Sequence, residues 1–144
     1  MVPMCQRITS KPASPMIPNS SYEPHVRARR PGGRPDEKPK YRVLVHRRFL
    51  MYYNELADRV GLKQAQQFWD HVSQDPGNPD PIASTCFLRG RSGRPKGPGW
   101  SRTIHYEVSS SARIDYQYHD AYTTEPDSDP HPVVAILTIN YSSH

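Results

Sequence analysis

The sequence predicts an α+β fold: an N-terminal strand, a helical hairpin, then a three- or four-stranded antiparallel sheet, all preceded by a disordered tail. Three observations carry this. Apolar residues recur at helical spacing between residues 49 and 72. They alternate with polar residues, or run together, in the second half of the chain and in one short stretch at 41–46. Eight of the sixteen prolines fall in the first 40 residues, which hold no Leu or Phe and only Val2, Ile8, Ile17 and Val26 as β-branched aliphatics. Such a segment lacks the apolar surface to offset the entropy of ordering, so residues 1–40 read as a Pro/Arg-rich tail and 41–144 as the folded domain.

The elements follow in order. Tyr41 to His46 is β-branched and bounded by Pro39, which reads as a strand. Phe49, Tyr52, Tyr53, Leu56 and Val60 then fall on one helical stripe, stopped by Gly61. Leu62, Ala65, Phe68, Trp69 and Val72 form a second stripe, closed by Asp75-Pro76-Gly77-Asn78-Pro79. Ile82 to Leu88 reads as a strand that enters a Gly/Pro-rich loop at 89–99. From Trp100 to Val108 every second residue is apolar or long: Trp100, Arg102, Ile104, Tyr106 and Val108 share one face. Ser109 to Ser111 is a turn, and Ile114, Tyr116 and Tyr118 alternate on a returning strand. Residues 119–132 are polar and acidic, hence loop. Val133 to Tyr141 is apolar on both faces, as an interior strand is.

Charge is unevenly placed. The net charge is +5. Residues 1–40 carry eight Lys/Arg against three acidic residues, and residues 41–144 carry eleven of each sign, so the excess belongs to the tail. The domain is neutral but polarised, with Arg89, Arg91, Arg94, Lys96 and Arg102 clustered in and beside the Gly/Pro loop. Two cysteines, Cys5 and Cys86, make neither a disulfide framework nor a metal motif. Seven histidines show no zinc spacing, so no metal and no cofactor is expected. With no membrane span and no signal-like leader, a cytoplasmic protein is expected.

Arg102 is the most informative residue. Its alternation places a charge at the lip of an apolar face, where it must be paired or line a cleft. A guanidinium fork suits phosphate; pairing with Asp70, Asp115 or Glu107 is the competing reading. Arg89, Arg91 and Arg94 adjoin it from the loop, and Arg113 comes from the partner strand. His144 directly follows the last strand and can move protons there, or be a loose end without a role. The aromatics Trp100, Tyr106, Tyr116, Tyr118 and Tyr141 suit base stacking or the core equally well.

Three stretches resemble the RelE/ParE superfamily of bacterial toxins: Phe-Leu-Arg-Gly at 87–90, Trp-Ser-Arg-Thr-Ile-His-Tyr-Glu-Val at 100–108, and Val-Ala-Ile-Leu-Thr-Ile-Asn-Tyr-Ser-Ser-His at 134–144. The order strand, helical hairpin, antiparallel sheet is similar to that family's. The resemblance implies the toxin of a type II toxin–antitoxin system, a ribosome-dependent endoribonuclease that cuts mRNA in the ribosomal A site by metal-independent 2′-OH attack, with a cognate antitoxin protein as partner. It further implies Arg102 as the phosphate-stabilising group, Lys96 as a transition-state aid, His144 and Tyr141 as acid/base groups, and Arg89, Arg91, Arg94 and Arg113 as RNA-binding residues. The loop is longer than the family's and the base of one subgroup is missing. The alternatives are a ParE-like gyrase poison without nuclease activity and a non-catalytic nucleic-acid-binding domain.

Overall fold

A computed structural model describes residues 22–78, 84–124 and 129–141. Among them the chain is α+β: three helices against a six-stranded mixed sheet. The strands are β1 (His25–Arg27), β2 (Arg42–His46), β3 (Ser84–Phe87), β4 (Ile104–Ser109), β5 (Ala112–Tyr122) and β6 (His131–Tyr141). Their spatial order is β1-β2-β6-β5-β4-β3. β2 and β6 pair in parallel and all other neighbours are antiparallel. The expected sheet of three or four antiparallel strands is therefore corrected to six mixed strands. The strand expected at 41–46, β2, lies beside the last strand, β6, and runs parallel to it.

The helices are α1 (Leu50–Asn54), α2 (Leu56–Val60) and α3 (Leu62–Gln74). The first apolar stripe is divided by a turn at Glu55, so it forms two short helices rather than one. Gly61 separates α2 from α3 at φ 99°, a conformation that favours glycine. Tyr53, Leu56, Ala65, Phe68, Trp69 and Val72 are buried from the helical side. Val43, Val45, Ile104, Tyr106, Ile114, Tyr116, Val134 and Ile136 meet them from the sheet. Phe68 lies edge-on to Tyr106, with ring centroids 4.9 Å apart. The Tyr116 hydroxyl donates to the Pro76 carbonyl at 2.8 Å, so both tyrosines belong to the core. Leu62, at the start of the second stripe, stays 48% exposed.

Residues 22–40 correct the expected tail. β1 pairs with β2, and Ala28 is buried and donates its N–H to the Val43 carbonyl. Helical side chains then pin the backbone beyond β1. Trp69 Nε1 donates to the Ala28 carbonyl at 2.9 Å, the Tyr53 hydroxyl to that of Arg29, and Gln66 Nε2 to that of Pro31 at 2.9 Å. Arg30 forms a bidentate pair with Asp70, at 2.7 and 3.1 Å. Composition misses this strap because its partners sit 24 to 41 residues away. The remainder of the expected tail, residues 1–21, lies outside the described residues, as do the start of the expected strand at 82–83 and part of the acidic loop at 125–128.

Phe68→Ala is expected to cost about 3–5 kcal/mol in chemical denaturation, as a truncated core aromatic does. Trp69→Phe keeps most of the ring but removes the donor to Ala28, at about 1–2 kcal/mol. It should also open the strap to trypsin after Arg27 and Arg29. A Trp69→Phe strap as protease-resistant as the wild type would show that this bond is not what holds it.

Candidate nucleic-acid interface

The helices cover one face of the sheet. The register places Arg42, Leu44 and His46 on the other face, with Val133 and Ala135, Asp115, Gln117 and His119, and His105. Leu44, Val133, Ala135 and Gln117 are nonetheless buried. The basic loop between β3 and β4 folds back above Gln117. Gln117, 1% exposed, uses its whole amide on it. Nε2 donates to the Arg94 carbonyl at 2.8 Å and to Thr103 Oγ1 at 2.9 Å, and Oε1 accepts from the Lys96 N–H at 2.9 Å.

Arg102 has a different place from the one its alternation suggests. β4 begins only at Ile104; Trp100 makes an isolated bridge to His119. Thr103 donates to Gly93 and accepts from Leu88, so this segment is tied to the loop and Thr103 turns inward instead. Arg102 is exposed, with Nε donating to the Leu88 carbonyl at 3.1 Å and Nη2 to that of Gly90 at 2.9 Å. It braces a 3-10 turn at Gly90–Gly93. A Cβ on Gly93 would lie 2.0 Å from the Leu88 carbonyl oxygen and 2.7 Å from Arg102 Nη2, so the brace requires glycine there.

The other expected site residues separate. Lys96 is exposed overall, yet its ammonium lies 4.3 Å from the Trp100 ring centroid, and burial of that end lowers its pKa. Arg89, Arg91 and Arg94 are exposed and make no ion pair among the described residues. Arg113 pairs with Glu107 across β4 and β5 at 3.3 Å. Tyr141 is not brought to the loop. It stacks on Tyr52 of α1 with centroids 5.9 Å apart, lies under Arg59, and donates to the Tyr52 carbonyl. Burial pushes its phenol up to about 12. His144, the expected acid/base group, lies outside the described residues.

A group that periodicity does not single out lies beside the loop. Trp100 meets His119 edge-on at 5.2 Å and Tyr122 at 5.7 Å between ring centroids; Tyr122 in turn neighbours His119 at 5.8 Å and His131 at 6.4 Å. Hydrogen bonds fix the imidazoles. His131 Nδ1 faces the Asp129 carbonyl at 3.0 Å and must donate to it, which leaves Nε2 to accept from the Tyr22 hydroxyl at 2.9 Å. Tyr22 also accepts from Arg42 Nη1. His119 Nδ1 accepts from the Ala121 N–H at 3.0 Å, so in the neutral ring its proton is on Nε2. In the neutral rings one imidazole thus carries its proton on Nε2, packed beside Gly99, and the other faces a hydroxyl as acceptor, with Lys96 and Arg42 at the two ends. The polar composition of 119–132 reads as loop and hides this group. The signal against that reading is Tyr118 to Tyr122 continuing the strand, with His131 at the start of its partner. A second pair, His105 Nδ1 with Asp115 Oδ1 at 2.6 Å, lies on the same face.

His25 lies at the other margin of this face, 4% exposed, and no group among the described residues pairs with its Nε2. Burial, then the charges of Lys96 and His46, lower its pKa to about 4. Among the described residues, no group of three or more His, Cys, Asp or Glu could hold a metal ion, and no helix is long and apolar enough to cross a membrane. No family model, curated protein or solved structure matches the chain.

Gln117→Leu leaves the Arg94 carbonyl and Lys96 N–H without their buried partner. It is expected to cost about 1–3 kcal/mol and to expose the loop to trypsin after Arg89 and Arg91. Unchanged cleavage there would show that other contacts hold the loop. His25 sets a pH dependence. Its folded pKa lies below its unfolded value, so its stabilising contribution is complete above about pH 6.5 and is lost as pH falls toward 4, by about 3 kcal/mol. Urea midpoints of wild type and His25→Phe at pH 7.5 and 4 measure it; equal pH dependence in the two would assign the slope to other groups.

Proposed function

We propose that this chain is a RelE/ParE-like toxin acting in the cytoplasm as a metal-independent endoribonuclease on mRNA in the ribosomal A site, and that a cognate antitoxin protein binds it. The observation that carries this reading is the pair of imidazoles in complementary tautomers, His119 and His131, held between Lys96 and Arg42 beside the aromatic rings of Trp100 and Tyr122. The α+β frame, with helices on one face and a basic loop on the other, fits the resemblance.

RNA cleavage through the 2′-OH needs no external nucleophile. A base removes the hydroxyl proton, the oxygen attacks the adjacent phosphorus, and an acid protonates the departing 5′-oxygen, leaving a 2′,3′-cyclic phosphate. The Tyr22–His131 relay is suited to accept the first proton and His119 Nε2–H to supply the second. Lys96 and Arg42 neutralise charge gathering on the phosphoryl oxygens. Trp100 and Tyr122 are half-exposed rings of the kind that stack on unpaired bases, one face of each being taken by Lys96 and by Tyr22. Arg102 acts at one remove, by shaping the loop that carries Lys96.

The test is induction of the protein followed by mapping of RNA 5′ ends, with His119→Ala and His131→Ala beside the wild type. Codon-phased cuts in translated mRNA are expected, reduced roughly 10²–10⁴-fold in either variant. Intact mRNA together with a block in supercoiling would overturn the nuclease reading in favour of a gyrase poison. Full cleavage by both variants would remove the imidazole pair from the mechanism.

A further inference from the structure

The strap that follows β1 is held more firmly than a linker needs to be. Three of its carbonyls accept from Trp69, Tyr53 and Gln66, while Arg30 is taken up by Asp70. The other arginines here, Arg27 at the end of β1 and Arg29 and Arg34 in the strap, are exposed and have no ion pair among the described residues. Two clefts flank them. One of about 350 Å³ is lined by Arg27, Arg29 and Tyr53, and one of about 380 Å³ by Arg27, Arg29, Arg34 and Trp69. The nearby acids Asp36 and Glu37 line a different cleft, with Asp70. Fixing the backbone while leaving the guanidinium groups free is a preorganised arrangement for phosphate.

The strap is continuous with the interface already described. Arg27 lies opposite Leu44 and two residues beyond His25, so it shares the face that the basic loop covers. Lys96 is near enough to act on His25, and the next residue on that face of β1, about 7 Å along, is Arg27. Across β1, β2, β6 and β5 the distance from Arg27 to the strand carrying His119 is about 14 Å, three strand spacings. That matches roughly four phosphates of a stacked strand.

We propose that Arg27, Arg29 and Arg34 form a second phosphate-binding site for single-stranded RNA, which holds the strand at the β1 edge of the sheet, away from the imidazole pair. This rests on the nuclease reading for its polarity. The half-exposed rings of Trp100 and Tyr122 at one end of the same track, each with one face taken by Lys96 or Tyr22, favour RNA over an acidic peptide, which would have no use for them.

Fluorescence anisotropy with unstructured RNA of 5 and 12 nucleotides, across a range of KCl concentrations, tests it. The variants are Arg27→Ala/Arg29→Ala/Arg34→Ala and the corresponding triple Lys. The alanine triple is expected to melt as the wild type does and to bind the 5-mer equally well. For the 12-mer its log-affinity against log-salt slope should fall by about 2, since each phosphate neutralised on a single strand adds roughly 0.7 to that slope. The lysine triple should retain the slope. An alanine triple with wild-type slope on the 12-mer overturns the strap site and leaves the nuclease reading intact. A wild type that binds neither RNA overturns the strap site, while the nuclease reading stands or falls by the mapping of RNA 5′ ends. Strap-dependent binding of polyglutamate, with RNA binding indifferent to the strap, overturns the proposal in favour of an acidic peptide.

Discussion

The buried amide of Gln117 is the constraint on which the loop-covered face depends. A long, polar, glycine-rich loop has no apolar surface with which to pack itself onto a sheet. Here one side chain, 1% exposed, meets two backbone groups and a hydroxyl of the loop segment and leaves none of its main polar capacity idle. In a low-dielectric setting such bonds are strong and their loss is costly. Arg102 adds a second brace from the other side, to the carbonyls of Leu88 and Gly90. Together they turn a flexible basic segment into a fixed rim that holds Lys96 above Trp100.

The two faces of the sheet divide the work of the chain. The helical face is apolar and carries stability through Phe68, Tyr106, Tyr116 and their neighbours. The loop-covered face holds polar groups whose geometry matters more than their area: the His119, Tyr122, Tyr22 and His131 sequence, the His105–Asp115 pair and the neutral, buried His25. Proton positions there are dictated by fixed backbone partners, the Asp129 carbonyl and the Ala121 N–H.

Much of the frame is legible in the sequence. Periodicity identifies the residues of both helical stripes, the stop at Gly61 and the alternation of Ile104, Tyr106 and Val108, because each reports a local repeat matched to one packed face. Local patterns mislead where distant contacts decide. Residues 22–40 look like tail until Trp69, Tyr53 and Asp70 are present to hold them. Arg102 looks like the end of a strand, but the loop takes the backbone hydrogen bonds of Thr103 and the strand starts two residues later. Of the expected site, Lys96 lies beside Trp100, the loop arginines are exposed, and Tyr141 belongs to the helices. Gln117, Arg42 and His131 carry no local signature, since their meaning comes only from what the register sets opposite them.

The parallel pairing of β2 with β6 has a bearing on how the chain comes to be folded. β6 lies in the interior of the sheet, between β2 and β5, although it is the last strand in the chain order. Without it, β1 and β2 would be cut off from β3, β4 and β5, and neither group would have its inner edge covered. Closing the sheet joins residues some ninety positions apart, such as Val43 and Val134, so the fold has a high contact order. Early intermediates would carry open strand edges, which are prone to pair with other chains. As the polypeptide emerges during synthesis, neither the sheet nor the imidazole pair can assemble until residues 131–141 have left the ribosome.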